Sequence, residues 1–340
     1  MITKNANSSR NEDLKPATIM RNIYNVFPSF AMLAGMQLDV FTHLKDGSMR
    51  AKTLADSLCV REDKLTPLLY ALVVAGLLVV ENKSFSNTPE AEKFLVHGRP
   101  NYIGELSGFY NRLWKNSLNT AESIRTGKPQ AKLDFHALSE EELLEYFQKQ
   151  IHSSCSGGKE IAEKLDFSQF SRLLDAGGGT GGVSMAICAN YPHLKATVAD
   201  LPKVAHLAER FIADAGMSDQ ISMSVTDLCS NSPEGKYDVA VLRALIQTLS
   251  KEEAQAVLKN ISQSMLSGGK IFIFGNVLDN SCLGPPASLA FALVFLNSYD
   301  NGQAYTENEY REMLTNANFT DIIVQHNFLD DGMSMVSAKK

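Results

Sequence analysis

The chain has 340 residues, with 32 Lys and Arg against 38 Asp and Glu, so its formal net charge is −6. The apolar fraction of 44% excludes disorder of the whole chain. The length allows two domains or one large domain with an accessory. The interspersed acidic and basic residues argue against a surface that binds nucleic acid over the whole molecule.

Several features of the sequence bear on location and on metal binding. No apolar run reaches the length of a membrane span, and the first residues, MITKNANSSRNEDLKP, lack the apolar region of a signal peptide. Five scattered cysteines show neither CxxC nor Cys/His ligand spacing, which suits free thiols in a reducing compartment. We therefore expect a cytoplasmic protein with no membrane partner and no metal site.

The amino-terminal part is predicted to be a flexible arm over residues 1–15, followed by a winged-helix-like domain over 16–100. Three stretches with apolar residues at helical spacing precede a β-rich piece at 77–95. The third predicted helix, KLTPLLYALVVAGLL, is mostly apolar, whereas a DNA-recognition helix needs polar side chains that reach base edges. We therefore expect a dimer interface, and a winged-helix DNA-binding protein remains the alternative from another class.

Residues 101–165 are predicted to be a helical linker, and the pattern changes at 166–340. There, short apolar runs alternate with helical stretches, as in RLLDA, KATVAD, ISMSVT, YDVAVLR and KIFIFGN. This alternation predicts an α/β domain with a Rossmann-like, doubly wound parallel sheet. The tail reads as two strands around an Asp-Asp-Gly turn, so an antiparallel hairpin is expected to close the sheet.

A glycine-rich loop follows the first of these strands. RLLDA runs into GGGTGG and then into a helix, and glycines at these positions let a ligand approach the backbone closely. Asp200 comes about twenty residues later, at the spacing that suits a contact with ribose hydroxyls. The string also fits the GxGxxG of a nicotinamide enzyme. Three acids favour S-adenosylmethionine instead: Asp175 for its amino-acid end, Asp200 for the ribose and Asp227 for the adenine.

DAGGGTGG, ADLPKV, TDLCS and the closing hairpin resemble a class I methyltransferase. The front end, with FSNTPEAEKFL and the later TGKP, is similar to the family of dimeric plant-type and bacterial small-molecule O-methyltransferases. The resemblance implies S-adenosylmethionine as cofactor, a homodimer, a small-molecule acceptor and a 101–165 segment that lines the acceptor pocket. It also implies cofactor contacts from Asp175, Gly177, Gly179, Gly181, Asp200, Leu201, Asp227, Leu228 and Arg243.

The sequence departs from that family at its acid–base residues. A family segment of the form L-K-x-x-x-H-D-W carries the histidine base, and here Arg243 replaces the lysine and Gln247 the histidine. The two family carboxylates that flank the histidine correspond to Gly275, beside Asn276, and to Ala304. Because glutamine does not titrate, this site is predicted to position its acceptor without a base at residue 247.

A thioether sulfur needs no deprotonation before it accepts a methyl group. The favoured acceptor is therefore a methylthio hydroxy acid, as in the methylthiohydroxybutyrate S-methyltransferase-like branch that serves dimethylsulfoniopropionate synthesis. The alternatives are an O-methyltransferase that uses a relocated base such as His152, and a family member that does not transfer methyl groups. The expected acceptor contacts are Tyr110, Trp114, Phe147, Ile151, His152, Gln247, Asn276 and Asn297.

Overall fold

The computed structural model describes residues 14–104, 106–135 and 137–340. The chain divides into two compact units, the first ending at Lys115 and the second spanning Asn116–Lys340. The boundary falls inside the predicted linker 101–165. Of the predicted arm, residues 1–13 lie outside the described part of the chain.

The first unit is mainly helical and carries a small antiparallel sheet. The apolar stretch after Pro16 forms three helices rather than one, because the chain turns at Asn25 and adopts a left-handed conformation at Asp39, with φ of 56°. Strands β1, β2 and β3 pair in the order β1-β3-β2, as a winged-helix arrangement requires. The elements that start in this unit are α1 (Ala17–Tyr24), α2 (Val26–Gln37), α3 (Val40–His43), β1 (Met49–Arg50), α4 (Ala51–Ser57), α5 (Glu62–Val74), β2 (Leu78–Glu81), β3 (Ser84–Asn87), α6 (Pro89–Phe94) and α7 (Leu106–Ser117).

The second unit alternates helices and strands, with a short 3₁₀ helix at Ile246–Thr248. Its helices are α8 (Thr120–Thr126), α9 (Glu140–Lys164), α10 (Gly182–Asn190), α11 (Pro202–Asp214), α12 (Lys251–Ser264), α13 (Pro286–Ser298) and α14 (Glu307–Asn316). Its strands are β4 (Arg172–Ala176), β5 (Lys195–Asp200), β6 (Ile221–Val225), β7 (Tyr237–Arg243), β8 (Met265–Gly275), β9 (Val277–Leu278), β10 (Tyr305–Thr306), β11 (Thr320–Gln325) and β12 (Ser334–Lys339).

Seven strands form the main sheet in the order β11-β12-β8-β7-β4-β5-β6. Strands β4 to β8 run parallel, and β12 pairs antiparallel with both β8 and β11. The expected doubly wound sheet with a closing hairpin is thus confirmed. The order reverses beside β4, and loops after parallel strands meet at such a switch point, which is where α/β sheets bind ligands.

Apolar side chains cover both faces of this sheet. On one face, α12 and α14 pack residues such as Leu258 and Tyr310 against Ile273. On the other, α9 and α10 pack Ile161 and Val183 against neighbouring strands. No helix in the described ranges is both long and apolar enough to span a bilayer.

Candidate active site

The glycine loop leaves β4 in a conformation that only glycine adopts readily. Gly177, Gly179 and Gly181 have φ of 68°, 57° and 75°, in the left-handed region that side chains disfavour. A Cβ at Gly177 would lie 2.9 Å from Leu245 Cδ2, and one at Gly179 would lie 3.3 Å from Phe147 Cε1. The loop therefore presents bare backbone in a confined space, which is a cradle for a ligand.

Asp200, at the end of β5, ties this loop to the neighbouring strand. Its Oδ2 accepts the N–H of Gly179 at 2.9 Å, and its Oδ1 accepts the N–H of Leu201 at 2.8 Å. Burial raises the pKa of Asp200, although both hydrogen bonds act in the opposite direction. A carboxylate has about four acceptor positions, so this one retains capacity for hydroxyl groups of a ligand.

Asp175 lies at the end of β4, directly before the loop, and is 1% exposed. Ser184 donates its hydroxyl to Asp175 Oδ2 at 2.7 Å. The pKa of Asp175 is raised to about 6, chiefly by burial and to a smaller extent by the Asp200 charge, while the hydrogen bonds from Ser184 and the charge of Arg243 act in the opposite direction. A buried acid with a raised pKa beside a cradle is an electrostatic fit for a cationic group.

The loop after β6 brings a third acid to the same edge of the sheet. Thr226 donates its N–H to the carbonyl of Asp200 at 2.9 Å, which joins the two loops. Asp227 accepts the Cys229 N–H at 3.0 Å and the Ser230 hydroxyl at 2.8 Å, and the adjacent Leu228 is buried. The structure thus brings the three acids predicted from the sequence together at one edge.

Helix α9 lies against the glycine loop because two of its residues have no side chain. A Cβ at Gly158 of α9 would lie 2.8 Å from Val183 Cα of α10. From the other side, a Cβ at Gly182, the first residue of α10, would lie 2.7 Å from Ser154 Cβ of α9. Gly157 packs in the same way against the guanidinium of Arg243. This Gly-Gly pair was not among the predicted site residues, although two adjacent glycines inside a helix destabilise it and so indicate a close approach.

Gln247 is 3% exposed and lies where the family segment L-K-x-x-x-H-D-W has its histidine base. Its Oε1 accepts the backbone N–H of Asn276 at 3.1 Å. Any side chain at Gly275 would overlap this same oxygen. Gln247 therefore holds the end of β8 in place, and the missing side chain at Gly275 makes the room for it.

Comparison with known proteins decides the family. An O-methyltransferase domain model matches residues 123–320, and an O-methyltransferase dimerisation domain model matches residues 20–97. The chain belongs to the O-methyltransferase family. It is accordingly an S-adenosylmethionine-dependent methyltransferase, and the predicted family, fold and cofactor are confirmed. The dimerisation domain supports self-association.

Relatives of this methyltransferase act on different acceptor atoms. The tetracenomycin polyketide synthesis 8-O-methyl transferase TcmO of Streptomyces glaucescens is 25% identical over 313 residues, which cover 90% of this chain and 92% of that protein. The L-tyrosine C(3)-methyltransferase of Streptomyces lavendulae is 26% identical over 264 residues, which cover 74% of this chain and 72% of that protein.

A solved structure agrees on the fold. The S-adenosyl-L-methionine-dependent methyl transferase PigF of Serratia sp. (strain ATCC 39006) is 24% identical over 309 residues, covering 87% of this chain and 88% of that protein. The structure of PigF with SAH has a TM-score of 0.76 to this chain and 22% identity in that comparison, covering 96% of this chain and all of the other.

The residues of this methyltransferase fit the cofactor. The confined glycine cradle would be filled by any Cβ, a buried acid lies at its base, and the Asp200 carboxylate keeps free acceptor positions. Arg243 lies at the end of β7, the strand next to β4, and its Nη2 donates to Asp331 Oδ2 at 2.9 Å. The individual cofactor contacts remain predictions.

The predicted acceptor residues of α9 differ in position. Phe147 is buried against Gly179 and stacks on Phe135, with ring centroids 6.0 Å apart. Ile151 is half-buried and packs against the core of the sheet. His152 is exposed, on the opposite side of the helix from Phe147, so within this chain the structure does not bring it to the glycine loop. The helical spacing already separates His152 from the buried row formed by Phe147 and Gly158.

Three other predicted acceptor residues are engaged in packing. Both amide N–H groups of Asn297 are used, by Thr120 Oγ1 at 2.9 Å and the Leu293 carbonyl at 2.8 Å, so Asn297 pins α13 to α8. Tyr110 and Trp114 lie in the first unit with ring centroids 5.9 Å apart, and Trp114 also contacts Phe30. Their contact with an acceptor stays a prediction. No cluster of metal-ligating side chains occurs among the described residues.

The raised pKa of Asp175 predicts how stability depends on pH. The folded pKa of about 6 lies above the ordinary value of 3.8, so protonation favours the folded state. This contribution, about 3 kcal/mol, is present below pH 3.8 and is lost as pH rises through about 6. Asp175→Asn should therefore gain stability over the wild type between pH 4 and about 6.5.

Urea unfolding of the cofactor-free protein at a series of pH values tests this prediction. The readout is the difference in the free energy of unfolding between wild type and Asp175→Asn. Carboxylates that do not interact with Asp175 affect both proteins equally and cancel in the difference, whereas Asp200 interacts with Asp175 and contributes to it. A difference that stays constant across this pH range would show that Asp175 titrates normally.

Proposed function

We propose that this protein methylates a small molecule at an atom that needs no general base at residue 247, with a thioether sulfur as the first candidate. The observation that carries the proposal is the environment of Gln247. It is buried at the base position, its oxygen is occupied by the Asn276 N–H, and Gly275 provides no carboxylate beside it. An amide in this arrangement orients its neighbours and does not remove a proton.

The cofactor would be held at the switch point of the sheet. Bound there, S-adenosylmethionine supplies an electrophilic methyl group on a sulfonium. We propose that Asp175 and the amides at Gly177, Gly179 and Gly181 hold its charged amino-acid end. Asp200 would accept the ribose hydroxyls, and Asp227 would lie at the adenine. Leu201 and Leu228 would provide apolar contacts, with Arg243 at the β7 side.

A thioether acceptor matches what the chain offers. Such an acceptor carries no proton on its sulfur, so the protein has only to bind it, orient it and exclude water. Phe147, buried against Gly179, provides an aromatic face in the position that a developing cation favours. The resulting sulfonium product also has no proton to return.

An ionised hydroxyl is the second candidate. The family model is that of O-methyltransferases, and TcmO is an 8-O-methyl transferase. An acidic phenol that is already ionised in solution would need orientation rather than a base. The C(3)-methyltransferase relative supports the view that the acceptor atom is set by the individual pocket.

The chemistry is tested with labelled methyl donor and a panel of methylthio acids, phenols and small hydroxy compounds. For a thioether acceptor, kcat is expected to stay nearly flat between about pH 6 and 9, because no enzyme group exchanges a proton. Gln247→Ala should lower kcat by less than about tenfold, since it removes positioning alone.

The matched control is His152→Ala, which should leave the pH profile and kcat unchanged. A rate that rises steeply with pH, and that His152→Ala abolishes, would identify a relocated base and a hydroxyl acceptor instead. Methylation of phenols alone, with a flat profile above the phenol pKa, would select the second candidate.

We further propose that the protein is a homodimer formed through its first unit. Four apolar residues on α1 and α2 are more than half exposed, namely Ile19, Ile23, Tyr24 and Phe27. The dimerisation domain model, which matches residues 20–97, covers all of them except Ile19. An exposed apolar face of this kind is typical of an interface. The cytoplasmic location and the absence of nucleic-acid partners remain predictions.

Ile23→Glu combined with Phe27→Glu is expected to convert the dimer to a monomer, because each buried carboxylate would lack a partner in the interface. Light scattering coupled to size-exclusion chromatography measures the mass. The control is Ile323→Glu, which adds a charge at an exposed apolar residue of the second unit. A wild-type protein that is monomeric at micromolar concentration would contradict the proposal.

A further inference from the structure

Two buried hydrogen-bond donors near the ends of β7 and β8 have no partner among the described residues. They are Nδ2 of Asn276, a side chain only 2% exposed, and Nε of Arg243. The other end of the guanidinium donates to Asp331, so the ion pair leaves Nε unused. Buried donors are normally satisfied, and two open ones at the same edge of a sheet indicate a missing acceptor.

The strand register puts Arg243 on one face of the sheet, and the alternation of side chains, extended one residue past the end of β8, puts Asn276 on the same face. Arg243 pairs with Phe274 across β7 and β8, so their side chains point to the same face. Asn276 follows Phe274 by two residues and continues that row. Phe274 packs in the core beneath α9 and α10, which identifies this face as the one that carries the glycine loop.

The two donors lie on the β7 and β8 side of the cofactor cradle, so Arg243, proposed above to border the cofactor, would lie between the cofactor and the acceptor. The glycine loop, Asp200 and Asp227 follow β4, β5 and β6, on one side of the switch point. Arg243 and Asn276 end β7 and β8, on the other side of β4 in the strand order. A ligand group bound by both donors therefore lies toward the acceptor rather than toward the nucleoside.

Gln247 fixes one of the donors. Its Oε1 accepts the backbone N–H of Asn276, and the space for this contact exists because residue 275 is glycine. This hydrogen bond fixes the backbone at Asn276, whose side-chain carboxamide is buried. Gln247 is in this respect a positioning residue that acts through Asn276.

We propose that Asn276 and Arg243 together bind a carboxylate of the acceptor. This inference rests on the proposed methyl transfer and narrows its substrate class to small carboxylic acids. A guanidinium and a carboxamide N–H present only donors and a positive charge, and a carboxylate offers two oxygens to receive them. Neutral acceptors of the same shape would leave the buried donors unpaired and bind less well.

The test compares acids with their own carboxamides in two series, 4-methylthio-2-hydroxybutyrate and 4-hydroxybenzoate. The wild type is expected to favour the acid over the amide by about tenfold or more in kcat/KM. Asn276→Asp replaces the donor by an anion that repels a carboxylate and accepts from an amide. We expect it to lower the acid-to-amide ratio by about a hundredfold.

Three controls separate this role from a structural one. Asn318→Asp, an exposed residue whose left-handed backbone also suits aspartate, should leave the ratio unchanged. S-adenosylhomocysteine affinity of Asn276→Asp should stay within about threefold of wild type, since Asn276 is not among the proposed cofactor contacts. Calorimetry of each acid and amide with the protein–S-adenosylhomocysteine complex reports recognition independently of turnover.

The inference is overturned if Asn276→Asp lowers acid and amide activity equally. It is overturned as well if this variant loses cofactor affinity, which would assign the carboxylate to the methionine end of the cofactor, or if no acid binds the complex. The proposed thioether chemistry is tested separately by which of the two series is methylated. It fails if neither the methylthio acid nor its amide accepts a methyl group. If only the 4-hydroxybenzoate series is methylated, and the acid is preferred over its amide, the thioether acceptor is excluded and the proposed carboxylate site is retained.

Discussion

Asp200→Ala is expected to weaken the binding of S-adenosylhomocysteine by about a hundredfold, the largest effect we expect from a single substitution on ligand affinity. The change removes the carboxylate proposed to accept the ribose hydroxyls. It also frees the N–H of Gly179, which Asp200 holds at 2.9 Å, so the glycine loop loses its tie to β5. Isothermal titration calorimetry measures the dissociation constant directly.

Asp238→Ala is the matched control for the loss of a carboxylate that binds backbone. Asp238 accepts the N–H groups of Ser171 and Arg172 at 2.8 and 2.9 Å, at the opposite end of β4 from the glycine loop. This variant should lose stability and retain cofactor affinity. If both variants weakened binding equally, the effect would come from disturbance of the sheet, and Asp200 would have no direct role.

Local patterns were sufficient to predict much of the second unit. The runs RLLDA and YDVAVLR coincide with β4 and β7 residue for residue, because continuous apolar runs are typical of strands buried on both faces. The three acids were also predictable, since each lies at or just after the carboxyl end of a strand and these ends of parallel strands share one edge. The hairpin turn at Asp331 followed from its own turn residues.

The contacts that define the acceptor side were not predictable in the same way. The close packing of Gln247 against Gly275 joins the 3₁₀ helix to the end of β8, and the approach of Gly158 to α10 depends on helix packing. Neither contact produces a hydrophobic periodicity, although the adjacent glycines at 157 and 158 do indicate a close approach. The position of His152 could have been predicted, because helical spacing places it away from the buried row of α9. Within this chain its exposed position on α9 lies away from the glycine loop, and its role as a relocated base stays a prediction.

Gly275→Glu is expected to lower the free energy of unfolding by about 3 kcal/mol or more, because it buries a carboxylate where Gln247 already lies. The new side chain would overlap Gln247 Oε1 and break its hydrogen bond to the Asn276 N–H. The double variant Gly275→Glu with Gln247→Ala should recover at least about 1 kcal/mol, since the space is cleared and the carboxylate can accept that N–H.

Urea unfolding followed by circular dichroism provides these values, and Gly108→Glu is the matched control because a Cβ at exposed Gly108 meets no atom within 4 Å. Equal stability of Gly275→Glu and wild type, or a double variant no better than the single, would contradict the coupling. If the coupling holds, Gln247→His alone should add little activity, because the histidine would lack an orienting carboxylate at 275. Residues 247 and 275 would then have to change together before a histidine at 247 could gain an orienting carboxylate at 275.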